Sequence, residues 1–106
     1  MKGERLGEFE EVVLLAAYGL GGDAYGVTIQ QRLEESIGRG ATIGAVYAAL
    51  DRLERKRHLK SRVGGATHDR GGRRKRFFKI TDGGVEALKA IRADREEMWG
   101  RVEDKP

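Results

Sequence analysis

The chain's two histidines, His58 and His68, are the first residues to test for chemistry. Neither stands at a metal-ligand spacing from another ligand, and there is no cysteine to supply a thiolate site or a disulfide. Ser36 and Ser61 lie beside no nucleophile elbow. The glycine pairs lack the following Lys-Ser/Thr of a phosphate loop. His68-Asp69 is an acid/base pair on paper, but its glycine-rich setting offers no buried pocket. These residue types speak against an enzyme, a bound metal and a cofactor. What remains is ionic chemistry.

The net charge of +4 is modest, but its distribution is not. Between Arg52 and Lys79, twelve Lys/Arg stand against two acids, a local balance of +10; the rest of the chain carries −6. Such segregation implies a basic surface for a polyanion, the plainer alternative being a solvated hairpin. The densest basic run is Arg70, Arg73, Arg74, Lys75 and Arg76 around Gly71-Gly72, followed by Phe77 and Phe78. Glycines let a backbone approach a ligand closely, and the cations suit phosphates or an A-tract minor groove. The phenylalanines read either as stacking platforms for single-stranded bases or as anchors to the core.

Several elements must position these groups. Glu8 to Tyr18 begins acidic and becomes almost continuously apolar from Val12, which predicts a helix buried on more than one side and hence a partner chain. Gly19 to Asp23 turns the chain. Tyr25, Ile29 and Leu33 recur every four residues and predict a second helix to about Ser36, broken by Gly38-Arg39-Gly40. Thr42 is placed to cap a third helix from Ile43 to about Arg57. Two short helices joined by a glycine-containing turn have the form of a helix-turn-helix.

On the third helix, Ile43, Val46, Leu50 and Leu53 share an apolar arc. The opposite side carries Gly44, Ala45, Ala48, Arg52 and Arg55, a small and then basic face suited to close approach to a polyanion. Thr42 at the cap joins that surface. Tyr47 lies on the border, open to inward packing or to a phosphate contact, and Asp51 is spaced to pair with Arg55. Leu59 to Val63 alternates as a half-buried strand, and Lys75 to Ile80 reads as its partner. The 11-residue connection between them is longer than a tight hairpin needs. Thr81 caps a last helix, Asp82 to about Val102, in which Leu88, Ile91, Met98 and Val102 form a seam interrupted by Arg95.

At 106 residues the chain makes one compact unit, divisible into a winged helix-turn-helix part (1–80) and a C-terminal dimerisation helix with its tail (81–106). The expected fold class is α+β and mostly helical: three helices, a two-stranded β-hairpin wing and the C-terminal helix. No apolar run approaches the roughly 20 residues of a membrane span, and Met1 to Glu11 lacks the apolar stretch of a secretion signal. A cytoplasmic chain with no membrane partner is therefore expected.

In order along the chain, the sequence resembles the PadR family of winged-helix regulators. The resemblance rests on Gly7 to Leu15, Ala24 to Ile29, Gly44 to Glu54 and Arg70 to Thr81. It implies a homodimer, the third helix in the major groove of double-stranded DNA, and the hairpin as the wing; family members are mostly repressors. It places the dimer interface on the first and last helices, for which Phe9, Val12, Leu88, Ile91, Met98 and Trp99 are the candidates. The single short C-terminal helix is similar to the smaller subgroup, in which a late tryptophan stacks planar ligands between subunits. Trp99 is the matching residue, so it is open to two roles, holding a small hydrophobic or aromatic effector or sealing the interface. The competing function is a winged-helix interaction or sensing module that does not read DNA, which would have no need of the +10 segment.

Overall fold

The acidic residues Glu8, Glu10 and Glu11 occupy the first turn of α1 (Glu8–Leu20), where the helix dipole favours them. Gly7 has no side chain to cap this helix, and Glu10 instead reaches back, its Oε1 accepting the Gly7 N–H at 2.9 Å. In the computed structural model, which describes residues 5–66 and 74–104, a 3-10 turn (Gly21–Asp23) leads from α1 to α2 (Gly26–Ile37). Thr28 ties the start of α2, its Oγ1 accepting the Tyr25 N–H at 3.0 Å and donating to the Asp23 carbonyl at 2.6 Å. The third helix, α3 (Ile43–Arg55), is capped as its sequence demands, the Thr42 hydroxyl accepting the Ala45 N–H at 3.1 Å.

α3 stops two residues before the expected Arg57. His58 N–H reaches the Leu53 carbonyl at 2.9 Å and Arg57 N–H reaches Glu54 at 3.0 Å, the paired closure of a Schellman motif. That closure needs a left-handed residue, and Arg57 supplies it with φ 65°, where glycine is the usual choice. The Thr81 hydroxyl then donates to the Arg57 carbonyl at 2.7 Å, locking the turn to the start of the last helix.

β1 (Leu59–Ala66) and β2 (Arg74–Ile80) form the antiparallel hairpin, longer at both open ends than the alternation predicted. Pairing runs from Leu59↔Ile80 to Val63↔Arg76 and resumes at Ala66↔Arg74, so one extra residue on β1 makes a bulge. β2 is covered on its other side: Phe78 N–H donates to the Ala24 carbonyl at 2.9 Å, and Tyr25 bridges Phe77. Leu59 and Phe78 point into a core built with Val13, Leu14, Ile29, Leu33, Val46, Leu50 and Leu53. Ile43, expected in that core, is exposed, and Ala49 is buried instead. The arc centred between Val46 and Leu53 leaves Ile43 at its border.

α4 (Asp82–Glu103) starts on Thr81, whose hydroxyl accepts the Gly84 N–H at 3.0 Å. Its 22 residues extend about 33 Å at the usual helical rise. Only the first half packs on the body: Leu88 is buried, Ile91 half-buried, and every residue from 92 to 99 is exposed. The molecule accordingly measures 61 × 29 × 21 Å.

Candidate nucleic-acid interface

The outer side of α3 carries Gly44, Ala45, Ala48, Asp51, Arg52 and Arg55, all exposed, with Thr42 exposed at the cap. Burial of Val46, Ala49, Leu50 and Leu53 fixes this orientation. Tyr47 leans sideways from the same helix onto the first residue of α2. A Cβ at Gly26 would lie 2.5 Å from its Cζ and 2.6 Å from its Oη, so only glycine lets the ring rest there. The ring of Tyr47 thus packs on α2 while part of the residue stays in solvent.

Each flank of α3 is tethered by ions. On one flank Glu10 is 5% exposed, and its carboxylate accepts Arg52 Nε at 2.8 Å and Lys56 Nζ at 2.8 Å. Burial alone would raise the Glu10 pKa, but the bonds from Lys56, the Gly7 N–H and Arg52 outweigh it and lower the value to about 2. Lys56 also donates to the Arg5 carbonyl at 2.9 Å. On the other flank Arg76 of β2 binds both Asp51, at 3.2 Å, and Glu54. The Ser61 hydroxyl donates to Glu54 at 2.7 Å.

Asp51 is therefore engaged by the hairpin. Arg55, spaced to pair with it, forms no ion pair among the described residues and stands exposed. Arg55 lies almost opposite the core on the helical wheel, on the basic outer face where the sequence places it.

The hairpin's outer face holds a ladder of cations and rings. Lys75 Nζ sits 4.5 Å from the Tyr25 ring centroid and donates to the Tyr25 hydroxyl at 3.3 Å. Tyr25 meets Phe77 edge-on at 5.4 Å, and Arg62 covers Phe77 at 4.9 Å. Phe77 thus organises the outer face, whereas Phe78 anchors the core. Lys60 and Lys79 are directly opposed in the register, a like-charge pair that a strand pair does not favour on stability grounds. With Arg62, Phe77 and Tyr18 they line a groove of about 700 Å³ beside the end of α1. Lys60, Arg62 and Lys79 were not singled out in the sequence, although strand alternation places them opposite the inward Leu59 and Phe78. Arg70 and Arg73 lie outside the described residues, and Arg74 is the first residue of β2.

The candidates for an interface between chains separate into two groups. Leu88 packs into its own chain's core, and Phe9, Val12 and Ile91 are half-buried, Phe9 beneath Arg39 at 5.1 Å. Met98 and Trp99 are 67% and 64% exposed, as are Val102, Leu15 and Tyr18 in large part. Arg95, which interrupts the seam, bonds Glu11 of α1 at 2.6 Å. Among the described residues no helix is long and apolar enough to cross a membrane, and no three carboxylates or histidines gather to hold a metal.

This arrangement of helices and hairpin has close parallels. A PadR-like transcription factor from Bacteroides fragilis superposes with a TM-score of 0.75 at 23% identity, covering 90% of this chain and 86% of that one. A PadR family regulator from Clostridium difficile gives 0.70 at 23% identity over 91% and 94% of the two chains. Bacillus subtilis PadR, solved in complex with operator DNA, gives 0.65 at 20% identity over 78% of this chain and 45% of its own. No curated protein matches the chain. Residues 14–90 match the family described as the transcriptional regulator PadR-like family. Running from the middle of α1 into the first half of α4, that match includes α3, its Arg76 flank and the hairpin, and the chain belongs to the PadR-like family of transcriptional regulators.

Proposed function

We propose that this protein binds double-stranded DNA sequence-specifically as a homodimer and represses transcription from the sites it occupies. The observation that carries the proposal is the outer side of α3, where Gly44, Ala45 and Ala48 keep the helix axis accessible and Arg52 and Arg55 stand beside them. Small residues admit the helix to a major groove, and arginine is the commonest reader of guanine. The fold shared with a regulator solved on operator DNA supports the same reading. Arg55, Lys60, Arg62 and Lys79 join Arg70, Arg73, Arg74 and Lys75 of the basic run in gripping phosphates, with Tyr47 at the border. Residues 1–80 act as the DNA-binding part and 81–106 as the dimerisation helix.

The exposed Met98, Trp99 and Val102 on a projecting helix support pairing with a second copy, since isolated chains rarely leave such a stripe in water. A small planar hydrophobic effector stacking on Trp99 would couple that interface to release of DNA. Gel-shift titration against duplexes from a random-pool selection tests the reading, with half-sites about one helical turn apart. Affinity should fall steeply with salt, the log–log slope growing by about 0.9 per neutralised phosphate. Binding that is indifferent to salt, or selection that returns no common sequence, would remove this function.

A further inference from the structure

The Arg52 guanidinium has its inner edge occupied, while its outer edge has no partner among the described residues. Nε donates to Glu10 Oε2 at 2.8 Å, while the side chain as a whole remains 43% exposed. An arginine can read guanine side-on through Nε and one Nη, or end-on through both Nη atoms. With Nε committed to Glu10, only the end-on mode remains. The carboxylate that imposes this is itself immobile, being buried and held by the Gly7 N–H at 2.9 Å and by Lys56 at 2.8 Å. A long side chain with about 2 kcal/mol of rotamer entropy is thereby ordered before any ligand arrives.

We infer that Glu10, a residue of α1 that touches no DNA, is a specificity-determining positioning residue: it aims Arg52 to recognise one guanine end-on in each half-site. The inference rests on the proposed DNA-binding role of α3. Tethering also connects α1 to base recognition, because Glu10 can hold Arg52 only while α1 keeps its place beside α3. Lys56 has a different part, holding the carboxylate without reaching the outer side of the helix. A wholly structural Glu10 would instead support folding and leave base preference untouched.

The test is random-pool duplex selection, followed by binding titrations on the consensus and single-base variants, using the full chain with E10Q, R52K, K56A and the E10Q/R52K double change. R52K keeps a cation that can still pair with Glu10 but removes the fork, so it reports base reading even if E10Q folds poorly. Expected for both R52K and E10Q is a loss of roughly tenfold in discrimination at the same single base pair. The double variant should lose no more than either alone, and K56A, which leaves the Gly7 hold on the carboxylate, should lose less than E10Q. If R52K leaves every base preference intact, Arg52 does not read DNA and the inference fails, while duplex binding by the other variants still reports on the general function. If R52K relaxes one position and E10Q does not, Arg52 reads unaided and the positioning role is refuted. If E10Q lowers affinity equally for all sequences, Glu10 is structural only.

Discussion

Acidification should weaken the folded state through Glu10, whose carboxylate is held ionised by its partners. Its pKa falls from 4.5 to about 2 in the folded state, against the opposing effect of burial and through bonds from Lys56, the Gly7 N–H and Arg52. At about 1.4 kcal/mol per unit, the ionised carboxylate contributes roughly 3 kcal/mol of stability. Because the folded value is depressed, that contribution is complete above pH 4.5 and is lost as pH falls towards 2. By pH 3.5 about 1.4 kcal/mol is gone. Glu10→Gln removes the titrating group, so wild type should be the more stable form at pH 7, with a margin that narrows by about that amount at pH 3.5. Urea unfolding of both proteins at fixed protein concentration and several pH values measures the margin directly. A margin that stays constant from pH 6 to pH 3.5 would refute the ionic account of Glu10, since a packing defect does not titrate.

Three other perturbations follow from particular contacts. Arg57→Gly should stabilise the chain by about 0.5–1 kcal/mol, because Arg57 occupies a left-handed position in the closure of α3; thermal unfolding should show a Tm raised by several degrees. Trp99→Ala should weaken self-association by about 2 kcal/mol or more while leaving helix content unchanged, as read by sedimentation velocity and circular dichroism. Lys60→Glu should relieve its opposition to Lys79, stabilising the hairpin by about 0.2–1 kcal/mol in urea unfolding. The same change should weaken duplex binding on every sequence and flatten its salt dependence; a sequence-selective effect would contradict a phosphate role for this strand face.

What could be read in advance divides along a physical line. Helix caps, turn glycines and apolar arcs depend on neighbours within about four residues, and Thr42, Thr81 and the Val46–Leu50–Leu53 arc stand where that logic puts them. The basic hairpin was equally legible, since charge density needs no tertiary information. Ion-pair partners were not. Asp51 finds Arg76, which is 25 residues away, and Arg52 finds Glu10 across 42, separations at which spacing rules are silent. Local pairing of Asp51 with Arg55 was the reasonable expectation, and tertiary contact displaced it. The seam of the last helix divides within the single chain. Leu88 and Met98 share its spacing, yet only Leu88 lies within reach of the chain's own core.

These long-range pairs alter the meaning of the +10 segment. Arg52 and Lys56 share Glu10, and Arg76 is spent on two carboxylates of α3, so much of the excess positive charge serves internal assembly. Asp51 and Glu54 would count against a helix that only had to attract phosphates, because they reduce the potential where it is needed. As anchors for Arg76 they have a positive use, holding the hairpin at a set angle to α3 while Glu10 holds the opposite flank to α1. On the proposed DNA-binding role, a hairpin and an α3 fixed to one another would meet a duplex as a single rigid surface, with less ordering left to occur on binding. The cations of this segment with no carboxylate partner among the described residues, Arg55, Arg57, Lys60, Arg62 and Lys79, are then the ones whose charge is available to a ligand. Net charge locates the surface, and the internal pairs identify which of its residues can act.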